Sequence, residues 1–352
     1  MAGTEDDPRA MAASKIRVDW RRVLLLGLLA LLTIWVFSRF TDLSRLGVTL
    51  AEARWTWVTV GFAVHLLFFL MNAMLYHYGF GIVGVRAGLA DVLPVMFAAY
   101  FINVVAPSGG AAGAALFIDD ARRRGQSAGR TAIGTVLVLL ADLGTLVPFV
   151  LYGILFLRGQ GKLRIYDTIG AAVYVTFIVL LSGAVAAARW RPSVFRRLLG
   201  GVARLVNWAG AKFRRPEVLD ARWAARTSSE FREAAAGIVR RPGRLALTAG
   251  WATAMHIVNL AGLYALFLAF DQPVRLGTLV AGFAMGIVFF VVTIVPSGLA
   301  AVEGIMALVF TVMGIPPAHA VAVVLVFRAA NFWMPLVIGL ALIGRVRAFR
   351  RR

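Results

Sequence analysis

Three side chains in this sequence carry charge within long apolar runs: Asp142, Glu303 and Arg328. An unpaired charge at the centre of a bilayer costs about 3 kcal/mol, so each of them needs a partner or a purpose. An ion pair of Asp142 or Glu303 with Arg328 would offset that cost. A guanidinium is also suited to grip an anion through two parallel hydrogen bonds. Asn331 stands in the same apolar run as Arg328. Two further stretches carry chemistry in their backbone, Pro107-Ser108-Gly109-Gly110 and Pro296-Ser297-Gly298. Proline lacks an N–H and glycine tolerates any backbone conformation, so each stretch ends one helix and starts another. A helix N-terminus offers unpaired N–H groups and a partial positive charge, which together favour an anion.

These residues predict a cavity at the membrane midplane, lined by two positive helix ends and suited to a phosphate headgroup. Ser108 and Ser297 stand where an N-cap hydroxyl would be, and Gly109, Gly110 and Gly298 let a ligand approach the backbone closely. The expected substrate contacts are therefore Ser108, Gly109, Gly110, Ser297, Gly298, Glu303, Arg328, Asp142 and Asn331, with Pro107 and Pro296 as hinges. Two plainer readings stay open: small residues that merely allow tight helix packing, and ion pairs that are purely structural. His65, His77 and His256 read as helix-packing histidines, and Asn103 as a partner for backbone freed by Pro107. Asp119 and Asp120 read as partners of nearby arginines at a membrane surface.

The two interrupted stretches belong to a duplication. At a shift of 189 residues Phe101 meets Phe290, Pro107-Ser108-Gly109 meets Pro296-Ser297-Gly298, Gly125 meets Gly314 and Asp142 meets Asn331, with no gap over 42 positions. Interrupted helices at corresponding places in two halves are a pointer to the binding site of a membrane transporter. Composition agrees: the 352 residues are 60% hydrophobic and only 15% charged, with a mean hydropathy of +0.81. The absence of cysteine excludes disulfides and thiolate metal sites, and four histidines without a zinc-type spacing predict no metal and no cofactor. The net charge of +20 sits mainly at the ends of apolar runs, where it reads as a topology signal and as contacts for anionic lipid rather than for nucleic acid.

Full crossings are expected at residues 23–40, 55–78, 131–157, 166–188, 245–270 and 321–343. The runs around each Pro-Ser-Gly are too short to cross in two passes; residues 111–118 span only about 12 Å of helix where about 30 Å is needed. If both runs are re-entrant hairpins, the segments 15–22, 122–130, 189–244 and 345–352 all face the cytoplasm with 4, 4, 14 and 5 basic residues, and Arg86 faces it too. The expected fold is thus an all-α polytopic membrane protein of two inverted repeats, each span-span-re-entrant hairpin-span: about six crossings and two hairpins. Its parts are a disordered cytoplasmic tail (1–14), a first membrane part (15–188) and a basic cytoplasmic connection (189–244) that carries an amphipathic helix. A second membrane part with a basic end (245–352) follows. The expected site of residence is the plasma (inner) membrane, with both termini cytoplasmic.

The motifs also resemble a known family. Asn103-x-x-x-Pro107-Ser108-Gly109-Gly110, Gly125, Pro296-Ser297-Gly298, Val302-Glu303-Gly304, Gly314 and Arg328 are similar in order and spacing to the flippase-like transmembrane family of lysylphosphatidylglycerol synthases. The resemblance covers about residues 20–345 and carries over to Pro107, Ser108, Gly109, Pro296, Gly298, Glu303 and Arg328. Ala114 departs from it, standing where an acidic residue is often found. The resemblance implies a lipid or polyprenyl-lipid flippase. The chain ends at Arg352, so the aminoacyl-transferase domain that some members carry is not expected, and neither is enzymatic activity. The function expected is movement of an anionic phospholipid or a polyprenyl-phosphate-linked lipid between leaflets. Its partners would be those membrane lipids, with a second copy or a lipid-modifying enzyme as further candidates. The alternative is an integral-membrane transferase or accessory protein in lipid or lipid-linked glycan synthesis.

Overall fold

The computed structural model describes residues 43–105, 110–212, 225, 227–229, 231–232, 242–293, 298 and 300–346. The expected first span at 23–40, the tail at 1–14, Pro107, Ser108, Gly109, Pro296, Ser297 and the last arginines lie outside them. Among the described residues every regular element is helical: α1 (Leu43–Ala51), α2 (Trp55–Ile82), α3 (Leu89–Val105), α4 (Ala111–Arg123), α5 (Ala128–Gly159) and α6 (Ile165–Trp190). They continue with α7 (Pro192–Lys212), α8 (Pro242–Ala269), α9 (Leu276–Val292), α10 (Ala301–Val312), α11 (Pro317–Arg328) and α12 (Met334–Leu342). A π-helical turn, Ala329–Trp333, joins α11 to α12 and makes them one continuous 26-residue span.

Among the described residues five helical stretches are long and apolar enough to cross a membrane: α2, α5, α6, α8 and α11–α12. Each has 26 to 32 residues, about 40 Å or more at 1.5 Å per residue. Helices α3, α4, α9 and α10 have only 12 to 17 residues. The chain is a multi-pass membrane protein. Its lipid-facing surface shows in α6, where Ile165, Ile169, Val173, Val179 and Leu180 are all exposed.

The central packing is between α2 and α8. Two glycines let them approach: a Cβ on Gly61 would lie 2.6 Å from the Leu266 side chain, and one on Gly262 would lie 2.6 Å from the His65 ring. Two buried clusters form around this pair. One holds Tyr174, Phe267, Phe283 and Phe310; the other holds Phe69, Phe80, Phe97 and Phe117.

The short helices turn back on themselves. Helix α4 packs on α3, and its end returns to the start of α3: Arg124 lies 3.5 Å from Asp91 and donates to the Arg86 carbonyl at 3.2 Å. Helix α4 is longer than the expected 111–118, because Asp119 and Asp120 continue it. Each pairs one turn on, with Arg123 and Arg124 respectively, at 2.9 Å. Arg244 donates to the Gly81 carbonyl at 3.0 Å, so residues 81–91, 124 and 244 share one end of the bundle. At the other end Arg54 bridges Asp271 at 2.7 Å, next to the start of α9. Residues 316–319, which follow α10, adjoin Arg45 and Thr49 of α1 there. The α9–α10 pair therefore begins and ends at the end opposite to the α3–α4 pair. The repeat spacing also survives in the backbone. Gly125 and Gly314, 189 residues apart, follow α4 and α10 with φ +74° and +97°, values that strain any residue with a Cβ.

Candidate functional site

A cavity of about 220 Å³ lies among α2, α3, α5, α8, α9, α10 and the α11–α12 span. Its walls are mostly apolar, with Phe68, Phe283, Phe290, Phe327 and Phe332 among them. The polar side chains that reach it are Asn72, Tyr100, Asn103, Asp142, His256, Asn259, Arg328 and Asn331. Every one is placed by a helix that a simple anchor would have filled with leucine.

Arg328 ends α11. Its Nε donates to Glu303 Oε1 at 2.6 Å, with Glu303 fully buried and Arg328 nearly so. Glu303 lies in the first turn of α10, where the helix dipole favours a carboxylate. Its second oxygen, Oε2, has no hydrogen-bond partner. The guanidinium carbon sits 4.6 Å from the centre of the Phe332 ring, a cation–π contact that lowers the cost of burial. Arg328 lines the cavity and Glu303 does not, so the guanidinium stands between the carboxylate and the open space. The π turn after Arg328 carries Asn331, whose Nδ2 donates to Asn259 Oδ1 at 3.1 Å and ties α8 to the α11–α12 span. Such single π turns often accompany functional sites.

Of the two carboxylates expected to pair with Arg328, the structure selects Glu303. Asp142 pairs instead with His256: Nε2 lies 3.2 Å from Asp142 Oδ1 and 3.0 Å from the Asp142 carbonyl oxygen. His256, expected as a helix-packing histidine, lines the cavity, and so do Asn259 and Asn72. The signal that could have found them was their presence inside apolar spans. His77 holds the loop before α3 through the Ala87 carbonyl at 2.6 Å, and His65 bonds its own helix at the Gly61 carbonyl, 2.7 Å away; both are structural. Asn103, expected to bond backbone freed by Pro107, instead reaches α4, where its Oδ1 accepts from the Gly113 N–H of the first turn at 2.8 Å.

The residues at the N-cap positions of α4 and α10 are Gly110 (φ +89°) and Ala300 (φ +68°), and neither has a side chain that can cap. Ser108 and Ser297, expected at those positions, lie two and three residues earlier, outside the described residues. Gly298 (φ +62°) is tightly enclosed: a Cβ there would lie 2.6 Å from Val302 and 3.2 Å from the Phe290 backbone. Its role in the structure is close packing beside the cavity wall. Gly110 is exposed, with open space around it.

A bundle of long apolar helices around a cavity with a guanidinium in its wall defines a polytopic membrane protein with an internal polar site. The chain belongs to the family of the lysylphosphatidylglycerol synthase TM region, whose model matches residues 23–339. It is also similar to a UPF0104 membrane protein of Methanothermobacter thermautotrophicus, at 30% identity over 87 residues. That match spans 25% of this chain and 26% of the relative.

Proposed function

We propose that this protein moves an anionic lipid, a phospholipid or a polyprenyl-phosphate-linked one, between leaflets, with the headgroup phosphate in the central cavity on Arg328. The observation that carries the reading is the guanidinium at the wall of an otherwise largely apolar cavity within the bundle. A guanidinium in such a wall is the group there best suited to hold a phosphate, which it meets with paired N–H donors. About 220 Å³ is below the range of pockets that enclose a whole drug-sized ligand, and fits a headgroup without its chains. The chains would stay in the bilayer, reached past Phe290, which lines the cavity and is about half exposed.

In this reading α3–α4 and α9–α10 are re-entrant hairpins entering from opposite faces, the two halves are inverted repeats, and the termini lie in the cytoplasm of a plasma-membrane protein. Each pair begins and ends at one end of the bundle, and the two pairs use opposite ends, which supports it. A second reading, a transferase, draws support from the Asp142–His256 pair, since a carboxylate-held imidazole at a cavity wall can serve as a general base.

The test is reconstitution in vesicles holding fluorescent phosphatidylglycerol, phosphatidylcholine or a polyprenyl phosphate, with a quencher added outside. Transport predicts protein-dependent transfer of the anionic lipids, faster than that of phosphatidylcholine, and with the lipid chemically unchanged. Equal transfer of all three would remove the Arg328 assignment, and a new lipid product on chromatography would establish the transferase.

A further inference from the structure

The phosphate reading leaves one polar pair of the cavity without a role. Asp142 of α5 and His256 of α8 are joined by a single ring nitrogen, Nε2, that faces two acceptors, Asp142 Oδ1 at 3.2 Å and the Asp142 carbonyl at 3.0 Å. Nε2 therefore carries the hydrogen. The other nitrogen, Nδ1, is buried and has no partner, so in the neutral ring it holds an unused lone pair. The His256 side chain is only 3% exposed, whereas that of Asp142 is 31% exposed, and both line the cavity.

The charges around the cavity do not balance. Arg328 is cancelled by Glu303, which leaves the Asp142 carboxylate as one net negative charge among the described residues. The remaining titratable groups that face this region are His65 and Tyr76 of α2, Tyr100 of α3 and Tyr174 of α6, none of them a fixed charge. Helix α9 contributes apolar side chains there, Phe283 and Ile287. An anionic headgroup would thus bring a second negative charge into a space of low dielectric, where like charges repel strongly. One proton on the Asp142–His256 pair removes that repulsion.

We propose that Asp142 and His256 form a proton-binding site linked to the headgroup, so that an anion and a proton occupy the cavity together. The proton passes from cavity water to the pair as the anion enters, and returns to water as the anion leaves. No covalent bond of the lipid changes. This rests on the reading of the cavity as a phosphate site, and it adds a driving ion to it. A proton gradient would then bias the direction of lipid movement.

The test is calorimetric titration of the purified full chain with dihexanoylphosphatidylglycerol, a soluble phosphodiester whose single charge is constant over the range used. The range is about pH 5.5 to 8.5, which spans the physiological range and its edges. Linkage of one proton to one anion predicts affinity falling by up to about tenfold per pH unit as pH rises. Buffers of different ionisation enthalpy should report an uptake approaching one proton per lipid. Asp142→Asn should bind with no pH dependence and no proton uptake. His256→Gln, which keeps a donor to the carboxylate, should shift the midpoint, and thermal melts check that both variants fold. Failure of the wild-type protein to bind at any pH would overturn the phosphate reading itself. Binding without pH dependence or proton uptake would overturn the proton site and leave the phosphate reading standing. Proton uptake that persists in folded Asp142→Asn, or an unmoved midpoint in His256→Gln, would overturn the assignment to this pair.

Discussion

Replacing Arg328 by Gln separates a substrate site from a structural ion pair, because stability and transfer then part company. In the native protein Nε donates to Glu303 Oε1 at 2.6 Å, and Glu303 has no solvent contact. Removal of the guanidinium leaves a buried carboxylate without its counter-charge, at a cost of about 3–5 kcal/mol for as long as it stays ionised. Proton uptake by that carboxylate recovers part of the cost. Glu303→Gln is milder, since an amide oxygen can still accept from Nε and the Phe332 ring still faces the guanidinium. The double variant Arg328→Gln with Glu303→Gln buries no charge. It should regain about 2–3 kcal/mol over Arg328→Gln alone, as expected of directly coupled partners. Transfer of labelled phosphatidylglycerol should nevertheless be lost in every variant that lacks the guanidinium. Arg328→Lys should restore it only in part, since an ammonium cannot reproduce the two-pronged grip on a phosphate. The assays are thermal unfolding and vesicle transfer on the same preparations. If transfer returns in the double variant together with stability, Arg328 is a structural residue and the site assignment fails.

Two other expectations follow from the ends of the bundle. The chain has no cysteine, so Arg122→Cys introduces a unique label at the exposed end of α4; unlike Gly125 it has no positive φ for a side chain to strain. That cysteine should react with an impermeant maleimide in inside-out vesicles and stay unlabelled in intact cells, and labelling from outside would overturn the hairpin orientation. Helix α7 exposes Val194, Leu198, Val202, Leu205 and Trp208, while Arg196, Arg197 and Arg204 supply positive charge. A peptide of residues 192–212 should prefer anionic vesicles to neutral ones, and glutamine at the three arginines should weaken binding by about 1 kcal/mol per charge.

The long helices were legible because an apolar run of sufficient length is an unambiguous signal in a chain that crosses a membrane. Their observed bounds extend past the expected ones by a few residues, as at Ala128–Gly159 against 131–157, since apolarity ends before the helix does. Helix α4 was misjudged for the same reason. Asp119 and Asp120 ended the apolar pattern, yet their i,i+4 arginines let the helix continue. Gly110 and Gly298 both carry the backbone freedom expected of them, with positive φ, but their surroundings differ. The space at Gly298 is filled by Val302 and Phe290 while that at Gly110 is open, and only tertiary packing decides which a glycine meets. The pairing of Asp142 was beyond the sequence altogether. His256 lies 114 residues away, and pattern alone does not say which of two carboxylates a buried arginine will take.

What the two halves retain and what they change divides along the same line. Gly125 and Gly314 are both glycine, and the backbone after each short helix adopts a positive φ there, which glycine meets without strain. Asn72 of α2 and Asn259 of α8 both reach the cavity, from the two helices that form the central packing. Asp142 and Asn331 occupy matched positions and line the same cavity, yet one is charged and the other neutral. Ala114 likewise matches Glu303, and only the second copy has an arginine to pair with it. A cavity between two identical halves would present the same charge from both sides. Divergence at these positions gives one half a carboxylate held by an imidazole and the other a guanidinium held by a carboxylate. In the proposed reading a headgroup between them would meet a different partner on each side, and that asymmetry would let an anion and a proton be held at once.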